Sequence, residues 1–144
     1  MTRHQAGRYT AKHPEGTQVP SDVAKAVTAN LKNNGISCKI AHELAQSLGV
    51  PAATVGIAID LQEARIRACQ LGLFGHSPGP PPASQARKIP QNLIETIQAA
   101  RTENRLTCAE AWQIAQTHAV SRLMVGQACE SLGIKIHKCQ LGAF

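Results

Sequence analysis

Apolar residues recur along this chain at the spacing of short amphipathic helices. In the stretch "PSDVAKAVTANLKNNG", Val23, Val27 and Leu31 recur every four residues, small polar residues precede them, and Gly35 follows. A helix with one apolar face is predicted here, because proline opens helices readily and glycine ends them. A second helix is predicted to open at Ser37. Its apolar stripe at helical spacing consists of Ala41, Leu44, Ala45 and Leu48.

The whole pattern occurs twice. Residues 19–74 align with residues 89–144 without a gap, and 17 of these 56 positions carry identical residues. In the second copy, Thr107 takes the place of Ser37 and is predicted to form a capping box in which the Glu110 side chain reaches back to the Thr107 backbone. Each copy closes on Cys-Gln-Leu-Gly, one further residue and a phenylalanine, which is Phe74 or Phe144. Self-similarity over this length predicts a tandem duplication, with a proline- and glycine-rich linker at 75–88 between the copies.

The second and third predicted helices of each copy carry a helix-turn-helix pattern. In "AHELAQSLGVPAATVGIAID", the small residue Ala45 is followed by the turn glycine Gly49, by Val50 and by Val55. A small residue allows two helices to approach closely, and glycine permits the positive φ of a tight turn. Copy two, "AWQIAQTHAVSRLMVGQACE", keeps the alanine and both valines but has Ala119 at the turn. The pattern resembles the helix-turn-helix signature of DNA-binding regulators.

A short strand is predicted after the third helix of each copy, where "ARIRACQLGLF" and "IKIHKCQLGAF" place an isoleucine between basic residues. The apolar parity then shifts, which predicts a bend, a bulge or a short hairpin. The earlier segments "ISC" and "LTC" are the expected partner strands. We expect the Cys-Gln-Leu-Gly segment to be the sheet element that seals the core of its own copy, with Phe74 and Phe144 as buried plugs.

Taken together, these elements resemble the tandem helix-turn-helix or winged-helix domains of bacterial-type DNA-binding transcriptional regulators. The resemblance implies a mainly α fold with small β elements, built from two winged-helix-like repeats at 19–74 and 89–144. A basic, flexible N-terminal arm at 1–18 precedes the repeats, and the linker at 75–88 separates them.

Candidate DNA-binding residues follow from the resemblance, because the start and outer face of the third helix enter the major groove in a helix-turn-helix protein. In copy two these positions hold Ser121, Arg122 and Gln127, whose side chains can bond base edges or phosphates. Further candidates, for phosphate contacts, lie on or near the predicted strands and in the arm: Arg65, Arg67, Lys135, Lys138, Arg101, Arg105, Arg3 and Arg8. Copy one has small apolar residues on its third helix, so that helix is expected to face a protein partner or to mediate self-association.

The net charge of +6 is concentrated outside the predicted repeats. The arm at 1–18 and the linker at 75–88 each contribute +2, whereas each repeat contributes +1. Basic segments of this kind suit a polyanion such as double-stranded DNA, although the same charge also serves simple solvation.

Five cysteines, an odd number without dense spacing, indicate reduced thiols in a cytoplasmic protein. Cys38 corresponds to Cys108 in the repeat, and Cys69 to Cys139, so burial in the core is favoured over a metal site. No cofactor, membrane segment or catalytic constellation is predicted, and the protein is not expected to be an enzyme.

The favoured function is therefore that of a DNA-binding transcriptional regulator. The alternative is a protein–protein interaction module whose helix-turn-helix fold no longer reads DNA. A thiol or metal sensor that gates DNA binding is a third option.

Overall fold

The computed structural model describes residues 9–76, 80–84 and 88–144. Within them the chain is mainly helical with a few short strands, which confirms the predicted balance of α and β structure. The helices are α1 (Ser21–Asn30), α2 (Cys38–Leu48), α3 (Ala52–Leu61), α4 (Gln91–Ala100), α5 (Cys108–Thr117) and α6 (Arg122–Leu132). Two short 3₁₀ turns accompany them, an N-terminal turn at Tyr9–Lys12 and a linker turn at Pro82–Ser84.

Each repeat contains one pair of short parallel strands. In repeat 1, β1 (Gly35–Ser37) pairs with β2 (Arg65–Arg67), and in repeat 2, β3 (Arg105–Thr107) pairs with β4 (Lys135–His137). The expected partner strands are therefore confirmed, and their parallel orientation follows from the two helices that cross over between them. The chain continues from β2 and from β4 as turns and bends, so the expected bend is observed and the hairpin is not.

Side-chain caps fix where the second helix of each repeat begins. The Ser37 hydroxyl accepts a hydrogen bond from the Ile40 amide at 3.1 Å. Thr107 and Glu110 form the predicted capping box, in which each side chain accepts a hydrogen bond from the backbone of the other residue. These bonds satisfy amides that the first helical turn leaves unpaired, and they hold the pKa of Glu110 below its usual value.

A tight turn joins the second and third helices of each repeat, as predicted. Gly49 adopts a φ of 66° after α2, and Ala119 adopts a φ of 52° at the equivalent position, where a β-carbon is disfavoured. The axes of α2 and α3 differ in direction by 118°, within the range of a helix-turn-helix pair. Among the described residues, no single helix is long and apolar enough to span a membrane. The helices α2 and α3 meet that criterion only when they are counted together as a bent pair.

The compact units of the protein do not coincide with its sequence repeats. Unit 1 contains the chain up to Ala68 together with residues 140–144, and unit 2 contains residues 69–139. The Cys-Gln-Leu-Gly segment of each repeat thus lies largely within the unit built from the helices of the other repeat. The expectation that this segment seals its own repeat as a sheet element is wrong, because it is a turn and belongs to the opposite core.

The segments 140–144 and 69–74, which pack in the unit of the other repeat, are called the exchanged segments. Each packs against a glycine in the third helix of that unit. In unit 1, a β-carbon on Gly56 would overlap the backbone carbonyl of Leu141, and in unit 2, one on Gly126 would overlap that of Leu71. Both leucine side chains are fully buried. The glycine is identical in the two repeats because the approaching main chain leaves no room for a side chain.

The two phenylalanines differ in burial. Phe74 is buried in unit 2, as expected for a plug, although the core that it fills is not that of its own repeat. Phe144 is half-buried in unit 1. The two phenylalanines therefore occupy equivalent positions in the repeats, but Phe144 is more exposed to solvent than Phe74.

Candidate nucleic-acid interface

Alternation along the second strand of each repeat sets the direction of its basic side chains. In β2, Arg65 and Arg67 are exposed whereas Ile66 between them is half-buried. In β4, Lys135 is exposed and Ile136 is buried. Successive side chains of a strand point to opposite faces, so the isoleucine turns toward the core and the basic residues turn toward solvent.

An asparagine shared by the repeats holds these strands in register. The Asn34 side-chain amide donates to the Glu63 backbone carbonyl at 2.9 Å, and the backbone carbonyl of Asn34 accepts from the Arg65 amide at 2.9 Å. Asn104 makes the equivalent side-chain bond to Gly133 at 2.9 Å. Both asparagines adopt a positive φ, a conformation that asparagine tolerates better than most residues. Asparagine is therefore present in both repeats because its hydrogen bonds hold the second, basic strand in place.

In unit 2, two cations lie opposite each other across the paired strands. Arg105 of β3 and Lys135 of β4 are partners in the register, and both are exposed. Like charges at opposed positions of paired strands repel each other, and this repulsion destabilises the strand pair. An anion bound between the two side chains would remove this repulsion.

In unit 1, Arg67 lies against the backbone of the neighbouring strand. Its Nη2 donates to the Asn33 carbonyl at 2.7 Å, and its side chain lies over Gly35, where a β-carbon would overlap it. Arg67 is thus held in one orientation while it stays exposed, and Arg65 points to the same side of the strand.

Lys138 lies in the bend after β4 and is exposed. Its charge, like that of His137, helps to hold the pKa of the Glu110 carboxyl below its usual value, after the larger contribution of the hydrogen bonds from Thr107. Part of the positive field of Lys138 is therefore balanced by an acidic neighbour.

The start of α6 is engaged within unit 2. The exposed Ser121 caps the helix, and its hydroxyl accepts from the Met124 amide at 3.1 Å. The Arg122 guanidinium lies 3.5 Å from the centre of the Trp112 ring and donates to the Gln70 side chain. Arg122 is half-buried by these contacts, so its main role in the structure is to pack the exchanged segment against α5 and α6.

The expectation that Gln127 faces DNA does not hold, because its side chain is only 1% exposed. Its Nε2 donates to the Pro82 carbonyl at 3.2 Å, and its Oε1 has no hydrogen-bond partner within the described part of the chain. The linker turn at Pro82–Ser84 covers this face of α6. The sequence did carry a signal, since the equivalent residue of repeat 1 is the apolar Ile57.

In unit 1, the N-terminal 3₁₀ turn covers α3 through charged contacts. The buried Asp60 carboxylate accepts from Lys12 at 3.0 Å and lies 2.7 Å from the His13 ring nitrogen. The Glu63 carboxylate accepts from the backbone amides of Tyr9 and Thr10, each at 2.8 Å. Residues 9–13 are therefore docked rather than a flexible arm, whereas Arg3 and Arg8 lie outside the described residues.

Four of the five cysteines are buried: Cys38, Cys69, Cys108 and Cys129. Burial raises the pKa of Cys129 to about 12 and is the main cause of a raised pKa at Cys69. Thiols of this kind are poor nucleophiles at neutral pH. In the described segments, no three histidine, cysteine or acidic side chains converge as metal ligands would.

Of the predicted DNA-binding residues, then, Arg65, Arg67 and Lys135 lie exposed on strands, while Arg122 and Gln127 are engaged inside unit 2. Arg101 was also predicted as a phosphate contact, and it is exposed directly after α4. So was Arg105, which is exposed on β3. Its position opposite Lys135 depends on strand pairing, which the sequence pattern alone does not give. Comparison of the chain with protein-family models, with curated proteins and with solved structures found no match.

Proposed function

We propose that this protein binds double-stranded DNA, as expected of a transcriptional regulator built from two winged-helix-like repeats. The contacts are made to phosphates by the outward side chains of the short strands rather than to bases by the third helices. The observation that carries the proposal is the opposed pair Arg105 and Lys135, which an ordinary solvated surface has no reason to bring together.

Repeat 1 supplies a similar basic strand. Arg65 and Arg67 project from β2, and the contacts of Arg67 with Asn33 and Gly35 limit the side-chain freedom that binding would otherwise remove. Phosphate contacts fix a protein on the duplex but carry no sequence information by themselves. The proposed binding is therefore strong in its dependence on salt and weak in its dependence on sequence.

The experiment is a titration of generic duplex DNA, followed by fluorescence anisotropy at several salt concentrations. The double variants Arg105→Ala/Lys135→Ala and Arg65→Ala/Arg67→Ala should each weaken binding. Each should also reduce the slope of log affinity against log salt by about 0.9 for every phosphate contact removed. Lys25→Ala/Lys39→Ala is the matched control, because it removes two exposed positive charges from α1 and α2 without touching a strand.

A second candidate function is a protein-interaction module that has kept the helix-turn-helix and lost DNA contact. It is supported by α3 and α6, whose central faces hold a peptide segment in place of a DNA groove. This candidate predicts weak binding to every duplex, with the same small loss for Lys25→Ala/Lys39→Ala as for either strand variant. That result would overturn the DNA-binding proposal.

A further inference from the structure

Each third helix of the protein binds a short peptide segment from the other repeat. Unit 1 receives residues 140–144, and unit 2 receives residues 69–74. In both units the leucine of the segment is fully buried, and its carbonyl lies against a glycine of the helix. Helix and segment are therefore complementary partners, and the helix would hold an identical segment from another chain equally well.

The segment in unit 1 has further anchors. The Gly142 carbonyl accepts a hydrogen bond from Lys12 at 2.6 Å, and Lys12 is itself held by the buried Asp60. Leu141 is 1% exposed. Main-chain and side-chain contacts thus both fix the position of residues 140–144 in unit 1.

The chain crosses from unit 1 to unit 2 in a disfavoured backbone conformation. Ala68, the last residue before the crossing, has a φ of 50°. An alanine in this left-handed region brings its β-carbon too close to the neighbouring carbonyl oxygen. Extension of the chain at Ala68 would relieve this strain and carry residues 69–144 away from unit 1 of the same copy.

We propose that two copies of this chain exchange halves by opening at Ala68, so that residues 140–144 of each copy complete unit 1 of the other. Every contact within unit 1 and within unit 2 is retained in such a dimer, and the hinge conformation is what changes. Exchange of identical elements at a short strained hinge is a low-cost route to a closed dimer. This inference does not depend on the proposed DNA binding.

The test compares two alanine-to-glycine variants of the full chain. Ala68 and Ala119 have almost the same φ, 50° and 52°, but Ala119 lies in the turn between α5 and α6, away from the crossing. Glycine relieves strain equally at both positions, so the two variants should gain similar stability. Only Ala68→Gly relieves the strain that opening of the hinge would otherwise relieve. It should lower the dimerisation constant by about tenfold for each of the two hinges in the dimer.

Each variant is refolded from denaturant at low and at high protein concentration, and its mass is measured by size-exclusion chromatography with light scattering. The native sequence and Ala119→Gly should give a dimer whose share rises with refolding concentration and which persists after dilution. Ala68→Gly should give a smaller share of dimer than either at every concentration. A native chain that refolds as a monomer at every concentration, or dimers that respond alike to both substitutions, would overturn the proposal.

Discussion

Each unit covers its third helix with a short 3₁₀ turn, and the two turns are held by different chemistry. In unit 1, the N-terminal 3₁₀ turn is held by the carboxylates of Asp60 on α3 and of Glu63 just after it. In unit 2, α6 packs against the linker turn, in which Ala83 is buried, and Gln127 donates a hydrogen bond to the Pro82 carbonyl. Both helices nevertheless receive the same leucine and glycine of an exchanged segment.

The comparison teaches which part of the repeat is constrained by geometry. The helix glycine and the buried leucine of the segment are identical in both copies. The glycine cannot be replaced, because any β-carbon there would overlap the carbonyl of that leucine. The covering turns are free to use ionic or apolar contacts, because either can exclude water from a helix face. The sequence differences between Asp60 and Glu130 and between Ile57 and Gln127 follow from that freedom.

The largest expected effect comes from truncation of the exchanged leucines. Leu71→Ala and Leu141→Ala should each lower the free energy of unfolding by about 3 kcal/mol, because each removes a fully buried side chain. Hydrogen exchange should show lost protection in α6 for the first variant and in α3 for the second. Loss of protection in the helix of the same repeat would contradict the exchange between repeats.

Glycine-to-alanine substitutions in the third helices should have the next largest effect. Gly56→Ala and Gly126→Ala each place a methyl group against a main-chain carbonyl, and the expected loss is about 2 kcal/mol despite the better helix propensity of alanine. Gly49→Ala is the control, since its β-carbon would meet open space and only its φ of 66° is strained. Denaturant unfolding measures all three. Gly56 and Gly126 carry no such backbone strain, so a loss below about 0.5 kcal/mol at both positions would show that the carbonyls do not pack closely against them.

Removal of the buried carboxylate should distinguish the two covering turns. Asp60→Asn leaves Lys12 without its ionic partner and should lower unfolding free energy by about 2 kcal/mol. Glu130→Gln at the equivalent, exposed position should change it by less than about 0.5 kcal/mol. Thermal or denaturant unfolding of the two variants provides the comparison, which equal losses would break.

Replacement of Gln127 by the residue of repeat 1 should have little effect on stability. Gln127→Ile loses one hydrogen bond to Pro82 but also removes a buried oxygen that has no partner in the described chain, so the net change should stay within about 1 kcal/mol. DNA affinity should be unchanged, because the side chain is inside unit 2. A specific loss of DNA affinity without loss of stability would return Gln127 to the interface.

The smallest expected effect is the pH dependence of the docked N-terminal turn. Hydrogen bonds from Thr10 hold the pKa of Glu63 below its usual value of 4.5. Because the folded-state pKa is lowered, this carboxylate stabilises the docked turn above its unfolded value, and the stabilisation is lost as pH falls through the folded pKa. Fluorescence of Tyr9, the only tyrosine of the sequence, should report release of the turn in acid. Glu63→Gln should abolish that pH dependence.

Local elements were predictable from the sequence because their causes are local. The duplication, the cap at Thr107 and the turn at Gly49 follow from residue identity and spacing over a few positions. The placement of Ile66 and Ile136 on strands follows from alternation for the same reason. Hence the helices, the strands and the outward direction of Arg65 and Lys135 could be predicted.

Pairing between distant segments was decided only by the tertiary structure. The alignment of the two copies is the same whether Leu71 fills the core of its own repeat or that of the other, since both cores present an identical helix glycine. The burial of Gln127 and the opposition of Arg105 to Lys135 are also long-range facts, created by the linker turn and by parallel strand pairing. Sequence by itself determined which elements form and how often, and three-dimensional packing determined which copy of each element meets which.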